Sequence, residues 1–192
     1  MARWEPNARD RLEKAAHELF REHGYANTTV QEIADRAGLT ERTFFRYFED
    51  KREVLFSRSE DFEKIFTDTI ANAPAKAAPL EVVAVALEAA GDAIESRGES
   101  ARARGALIMA HSELQERELH KMRTLGSVVA TALRARGVSA TSANLTAEAG
   151  IAVFKVAYEH WLTDKKKRAF ATHIRASLAE LEEIVTGKKK RR

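Results

Sequence analysis

The stretch from Thr28 to Phe48, TTVQEIADRAGLTERTFFRYF, constrains this chain more than any other part of it. Its pattern predicts two short helices joined by a tight turn. Thr29 with Glu32 forms a capping-box signature: the hydroxyl accepts an orphan N–H at the helix start and the glutamate reaches back. Val30, Ile33, Ala34 and Ala37 recur at three- and four-residue steps, so they share one face and are expected to be buried. Gly38 stands where a turn needs positive φ, Leu39 fills the corner, and Thr40 caps the next helix. That second helix buries Phe44 and Phe48 at i, i+4 and leaves Arg42, Thr43, Phe45, Arg46 and Tyr47 toward its outer side. Aromatic rings beside two arginines are costly on an ordinary wet surface. They suit a surface that meets base edges and phosphates, which makes the arrangement a helix-turn-helix.

The run GYANTTVQEIADRAGLTERTFFRYFEDKREVL resembles the N-terminal DNA-binding domain of TetR-family transcriptional regulators. The resemblance is carried by Gly24, Tyr25, Thr28, Thr29, Ile33, Ala34, Ala37, Gly38, Thr43, Phe44, Phe45, Tyr47, Phe48, Lys51 and Leu55. It covers roughly the first quarter of the chain. One position departs: the family commonly has tyrosine where this chain has Phe45, whose ring can touch a thymine methyl but cannot hydrogen-bond a phosphate. The resemblance implies an all-α protein with an N-terminal three-helix DNA-binding domain and a C-terminal helical domain for ligand binding and dimerisation. It also implies double-stranded operator DNA, a small-molecule effector and a second copy of the chain as partners.

Site roles follow from this. Arg42 and Thr43 are the candidates for base contacts, since arginine pairs bidentately with guanine. Phe45 would meet a thymine methyl; Thr29, Thr40, Tyr47 and Lys51 would hold phosphates; Arg46 suits either task. Arg3 would reach the minor groove from an arm. Each residue also has a plain structural reading: Thr29 and Thr40 as caps, Tyr47 as half-buried core, Lys51 as a solvated charge.

Charge alone does not identify a nucleic-acid binder. The formal net charge is +3, yet the terminal KKKRR alone exceeds it, and the first 60 residues hold no net positive charge. DNA affinity must therefore come from local placement of cations rather than from a basic domain. The tail is read as a solvated segment. The chain has no cysteine, which excludes disulfides, thiolate nucleophiles and thiol metal sites. The start MARWEPNARDR lacks an apolar signal region, and runs such as VVAVAL from Val82 are far too short to span a bilayer, so no membrane partner and a cytoplasmic location are expected.

Helical spacing continues along the rest of the chain. Asn7 is expected to cap a helix to His23. Asp50 with Glu53 is expected to start one long helix through Leu55, Phe62, Phe66 and Ile70, linking a domain at 1–52 to a second at 53–187, with 188–192 as the basic tail. Residues 71–79, ANAPAKAAP, read as a loop. Further helices are expected over 80–96, 100–111, from Ser112 with Gln115 to about Arg136, over 145–162 after a loop at 137–144, and over 166–186.

In the last two helices Phe170, Ile174, Leu178 and Leu181 form an apolar stripe facing Val153, Val156 and His160. Two readings are open, internal packing or a dimer contact; the resemblance favours the second, because TetR-family regulators dimerise through these helices. By the same resemblance Leu107, Met109, His111, Met122, Phe154, Tyr158 and Trp161 are candidates to line an effector pocket for an apolar or aromatic molecule. Enzymatic readings find little. His111, Glu116 and His120 crowd one segment, but HSELQERELH lacks metalloprotease spacing, and no Gly-rich phosphate loop or nucleophile elbow occurs. No cofactor, catalytic residue or metal site is expected. The competing reading is a helical small-molecule-binding protein that uses its N-terminal unit for protein contacts.

Overall fold

The computed structural model describes residues 7–57 and 59–187. Among these residues all regular structure is helical: α1 (Ala8–His23), α2 (Val30–Arg36), α3 (Glu41–Tyr47), α4 (Lys51–Val54), α5 (Ser59–Asn72), α6 (Pro79–Glu95), α7 (Glu99–Ala110), α8 (Ser112–Ala135), α9 (Ala140–Thr163) and α10 (Phe170–Thr186). The chain forms two compact units, Met1–Arg58 and Ser59–Arg192. Arg3 and the KKKRR tail lie outside the described residues.

In the first unit α1 presents Leu12, Ala16, Leu19 and Phe20 to Ile33, Ala34 and Phe44, all buried. Val30 is only half-buried. Gly38 adopts φ 66°, and its N–H donates to Asp35 O while the Leu39 N–H donates to Ala34 O at 2.8 Å. This closes α2 and turns the chain within two residues. Arg11 holds the same corner from α1 by donating to the carbonyl of Ala37.

Two expectations for this unit fail. Asn7 sits at φ 73° without a side-chain cap; instead its carbonyl accepts from Arg11 N at 3.0 Å. The long helix from Asp50 is broken: α4 ends at Val54, and the N–H groups of Leu55 and Phe56 reach back three residues rather than four. Val54, Leu55 and Phe56 are consecutive and all buried, which a regular helix with 100° steps cannot arrange on one side. Arg9 also takes up the Ser57 carbonyl. Asp50 still caps, accepting from Arg52 N at 2.7 Å and Glu53 N at 3.2 Å.

The second unit packs α5, α6, α8, α9 and α10 around one apolar core. Six rings meet inside it, Phe62, Phe66, Phe154, Tyr158, Trp161 and Phe170, with neighbouring centroids 5.2 to 6.0 Å apart. Close approach of helices rests on small residues: a Cβ on Gly150 would lie 2.6 Å from Val83 Cγ1.

Two helix starts differ from expectation, and a third is capped differently. α9 begins at Ala140, not Leu145, because Ser139 caps it and Ala143 and Ala147 are buried core positions despite their loop-like neighbours. α10 begins at Phe170, not Lys166. Asp164 folds the preceding loop by accepting from Lys166 N, Arg168 N and Arg168 Nε, and Glu95 caps α10 by accepting from Phe170 N at 3.0 Å. Ser112 opens α8, but His111 occupies the cap position, and the Gln115 amide donates to Met109 O instead of making a capping box.

The far end of α5 is fastened from a distance. Arg136 donates to Ile70 O at 2.9 Å, Ala73 O at 2.8 Å and Pro74 O at 2.7 Å, adding donors to carbonyls at and just beyond the helix end. Arg136→Ala removes all three of these bonds, although Ile70 O keeps Ala73 N and Pro74 O keeps Ala77 N as donors, and is expected to cost the second unit about 2 kcal/mol in denaturant unfolding. Asp164 gives a pH-dependent counterpart. The Arg168 guanidinium, then the backbone N–H groups, hold its carboxyl well below the usual carboxylate range. A depressed carboxylate stabilises the fold above its unfolded pKa of about 4 and loses that contribution as pH falls through its folded value. The Tm difference between wild type and Asp164→Ala should therefore be full near neutrality and shrink below about pH 4.

Candidate nucleic-acid interface and effector cluster

The helix-turn-helix is built by its caps. Thr29 accepts from Glu32 N at 3.2 Å, and Glu32 accepts from Thr29 N at 2.7 Å, completing the capping box. The Thr29 N–H and hydroxyl hold the Glu32 carboxyl below its ordinary value. Thr40 caps α3 by accepting from Thr43 N at 3.2 Å. Phe44 and Phe48 go inward, their rings 5.3 Å apart. The opposite side of α3 carries Arg42 and Arg46, both exposed, Phe45 at 54% exposure, and Thr43 and Tyr47 half-buried. Arg46 is already oriented: its guanidinium lies 4.9 Å from the Tyr47 ring centroid and donates to the Tyr47 hydroxyl at 3.1 Å. Arg42, Thr43, Phe45, Arg46 and Tyr47 thus share α3, with Thr40 at its cap and Thr29 at the cap of α2. Lys51 does not join them on that helix; its ammonium donates to three backbone carbonyls, those of Tyr25, Ala26 and Thr28.

The expected effector residues divide. Phe154, Tyr158 and Trp161 meet in the aromatic cluster of the second unit, and Met122 packs against the same core. Leu107 and His111 are half-buried, whereas Met109 is 51% exposed on α7 and does not line an enclosed space. Three polar neighbours escaped sequence reasoning. Arg102 lies over the Trp161 ring at 4.1 Å from its centroid and donates to the Trp161 carbonyl. Arg104 pairs with Glu118 at 3.0 Å. Burial pushes the Tyr158 hydroxyl pKa up, with Arg104 partly offsetting it. The paired arginines of ARARGALIMA were the only available signal. Trp161 is buried, and its indole N–H has no acceptor among the described residues. A separate open groove of about 630 Å³ lies between α5 and α6, lined in part by Asp68, Asn72, Pro74, Glu81 and Val85, and includes none of the expected residues.

The expected dimer residues also divide. Val153, Phe170 and Ile174 are buried in the protomer's own core, which corrects their assignment to an intermolecular contact. The apolar stripe of α10 turns inward because Gly91 and the aromatic cluster receive it. Leu178 and Leu181 are half-buried against the same core. Val156, at 46% exposure, and His160 remain on the surface.

Residues 12–57 match the family model of bacterial regulatory proteins of the tetR family, and residues 77–186 match that of the MftR C-terminal domain. The chain belongs to the TetR family. Among its relatives, TcmR of Streptomyces glaucescens, an HTH-type transcriptional regulator, is 37% identical over 78 residues, 41% of this chain and 34% of TcmR. The chain thus matches about a third of that relative's length. MftR of Mycobacterium tuberculosis is 27% identical over 157 residues, 80% of this chain and 79% of MftR. The transcriptional regulator FadR from Bacillus subtilis, solved with stearoyl-CoA, shares the TetR fold at TM-score 0.65 and 18% identity, over 94% of this chain and 99% of FadR. SmeT, solved with triclosan, does so at TM-score 0.62 and 20% identity, over 90% of each chain. At such identities the likeness is one of fold. Among the described residues no three His, Asp or Glu side chains are placed to hold a metal, and no helix is long and apolar enough to cross a membrane.

Thr40 has a structural role, the cap of α3, that is measured without DNA. Thr40→Ala removes the α3 cap and is expected to lower stability of the unbound protein by about 1 kcal/mol. Calorimetric unfolding without DNA measures that share alone; an unchanged transition would mean that the cap does not hold α3.

Proposed function

We propose that the protein is a sequence-specific DNA-binding transcriptional regulator, a homodimeric repressor released from its operator by a small apolar or aromatic effector. The observation that carries this reading is the outer face of α3, where an exposed phenylalanine stands beside two exposed arginines. Arg42 and Thr43 read base edges, Phe45 meets a thymine methyl, and Arg46, Tyr47 and the caps Thr29 and Thr40 hold phosphates. Two recognition helices in successive major grooves, about 34–36 Å apart, require a near-palindromic operator. The exposed line of Leu145, Val156 and His160 on α9, with Ile184 on α10, is the surface we assign to the second copy. The protein works in the cytoplasm, where the operator is, and no catalytic step is assigned to it.

The effector reading rests on Phe154, Tyr158 and Trp161 with their arginine neighbours, and on two structural neighbours solved with stearoyl-CoA and with triclosan. An effector releases DNA only if it binds the DNA-incompetent state more tightly. Those two compounds are therefore first probes, and a ligand that saturates the protein without weakening operator binding is not the inducer.

The test is selection from random duplex DNA at near-physiological salt. A palindrome should be enriched. No enrichment by a folded dimer would move the assignment to a small-molecule-binding protein whose N-terminal unit contacts other proteins. On the selected duplex, Arg42→Ala should weaken binding by roughly 1–3 kcal/mol and relax preference at one base position. Equal loss on every sequence would exclude base readout by Arg42.

A further inference from the structure

Lys51 opens the four-residue helix α4, whose cap Asp50 already supplies. Its ammonium turns instead onto the loop between α1 and α2. It donates to Tyr25 O at 2.8 Å, Thr28 O at 2.9 Å and Ala26 O at 3.3 Å, and lies 4.5 Å from the centroid of the buried Tyr25 ring. An ammonium has three N–H donors, and three carbonyls take them. The loop itself is tight. Gly24 has φ 79°, the Thr28 hydroxyl donates to Gly24 O at 2.9 Å, and Asn27 donates to His23 O at 3.0 Å. Carbonyl oxygens gathered at one point repel one another, and a compact cation at their focus cancels that repulsion through charge-assisted bonds. Thr29, which caps α2, follows directly on Thr28.

We propose that Lys51 is a positioning residue for α2: it fixes the loop carbonyls, and thereby Thr29 and the first N–H groups of α2, without itself touching a phosphate. The proposal rests on the DNA-binding reading of the N-terminal unit. The ammonium is turned to the backbone, and a phosphate contact would have to draw it away from three carbonyls. The three acceptors are answered by one compact ammonium. The planar guanidinium of arginine presents a wide fork, which at Arg136 suits three carbonyls near the end of α5; at Lys51 the three loop carbonyls meet a single nitrogen, a point donor that the fork does not reproduce. The two roles therefore make opposite demands on Lys51→Arg, which keeps the charge and loses the clamp.

The test uses the intact protein, with Lys51→Met and Lys51→Arg beside wild type. Amide hydrogen exchange is followed over residues 25–33 without DNA, and affinity for the selected duplex is followed against salt. Positioning predicts faster exchange at these amides in both variants, at least about tenfold weaker operator binding in both, and a slope of log K against log salt that matches wild type. A phosphate contact predicts wild-type exchange, wild-type affinity for Lys51→Arg, and a slope smaller by about 0.9 for Lys51→Met; any of these overturns the proposal. If Lys51→Met does not fold, Lys51→Arg carries the comparison. A wild type that selects no duplex removes the DNA-binding reading and the proposal with it, whereas unchanged exchange in a protein that does select DNA overturns the proposal alone.

Discussion

Burial of Phe44 and Phe48 is the contact on which the N-terminal unit depends. α3 has seven residues, too few to be helical in water by its own hydrogen bonds. It is a helix because two rings, four residues apart, are anchored in the core beneath it. Every side chain on the outer face of α3 is therefore placed by residues on its hidden side. The caps refine this: Thr29 and Thr40 set where α2 and α3 begin, and Gly38 sets the angle between them. Loss of an anchoring ring would scatter the outer residues without touching one of them.

Several cations among the described residues answer backbone carbonyls. Arg11 holds the α2–α3 corner, Lys51 the α1–α2 loop, Arg136 the end of α5, and Arg102 the carbonyl of Trp161. These bonds fall at or near helix ends, and an arginine or lysine from another element adds donors to those that the local chain supplies. This is one reason the net charge says little about DNA affinity. Many cations belong to the scaffold, and those of the outer face, Arg42 and Arg46, are few and specifically placed.

Much of the site was legible because it is written in local chemistry. The capping box at Thr29, the cap at Thr40, the glycine turn and the inward phenylalanines all follow from neighbours within four residues. What was not legible depends on distant partners. Nothing near Lys51 reveals three carbonyls 23 to 26 positions earlier in the chain. The break after Val54 needed knowledge that three successive apolar residues would all be buried. The α10 stripe read equally well as internal or external, since periodicity gives a face without saying what it meets; Phe170 and Ile174 proved internal once the aromatic cluster and Gly91 were seen to receive them. The start of α9 was missed because Ser, Thr and Ala resemble a loop, while buried Ala143 and Ala147 serve close packing.

The fastening of α5 by Arg136 changes what the neighbouring turn must do. A helix end normally relies on the residues just after it, which ties their sequence and length to the helix. Here the terminal carbonyls are held by a side chain more than sixty positions away. Beyond Pro74 the turn is thereby relieved of part of that duty and becomes a place where the chain can be lengthened or rewritten while the bundle keeps its shape. The turn at Gly38 has no such latitude, because there the same residues both end one helix and aim the next.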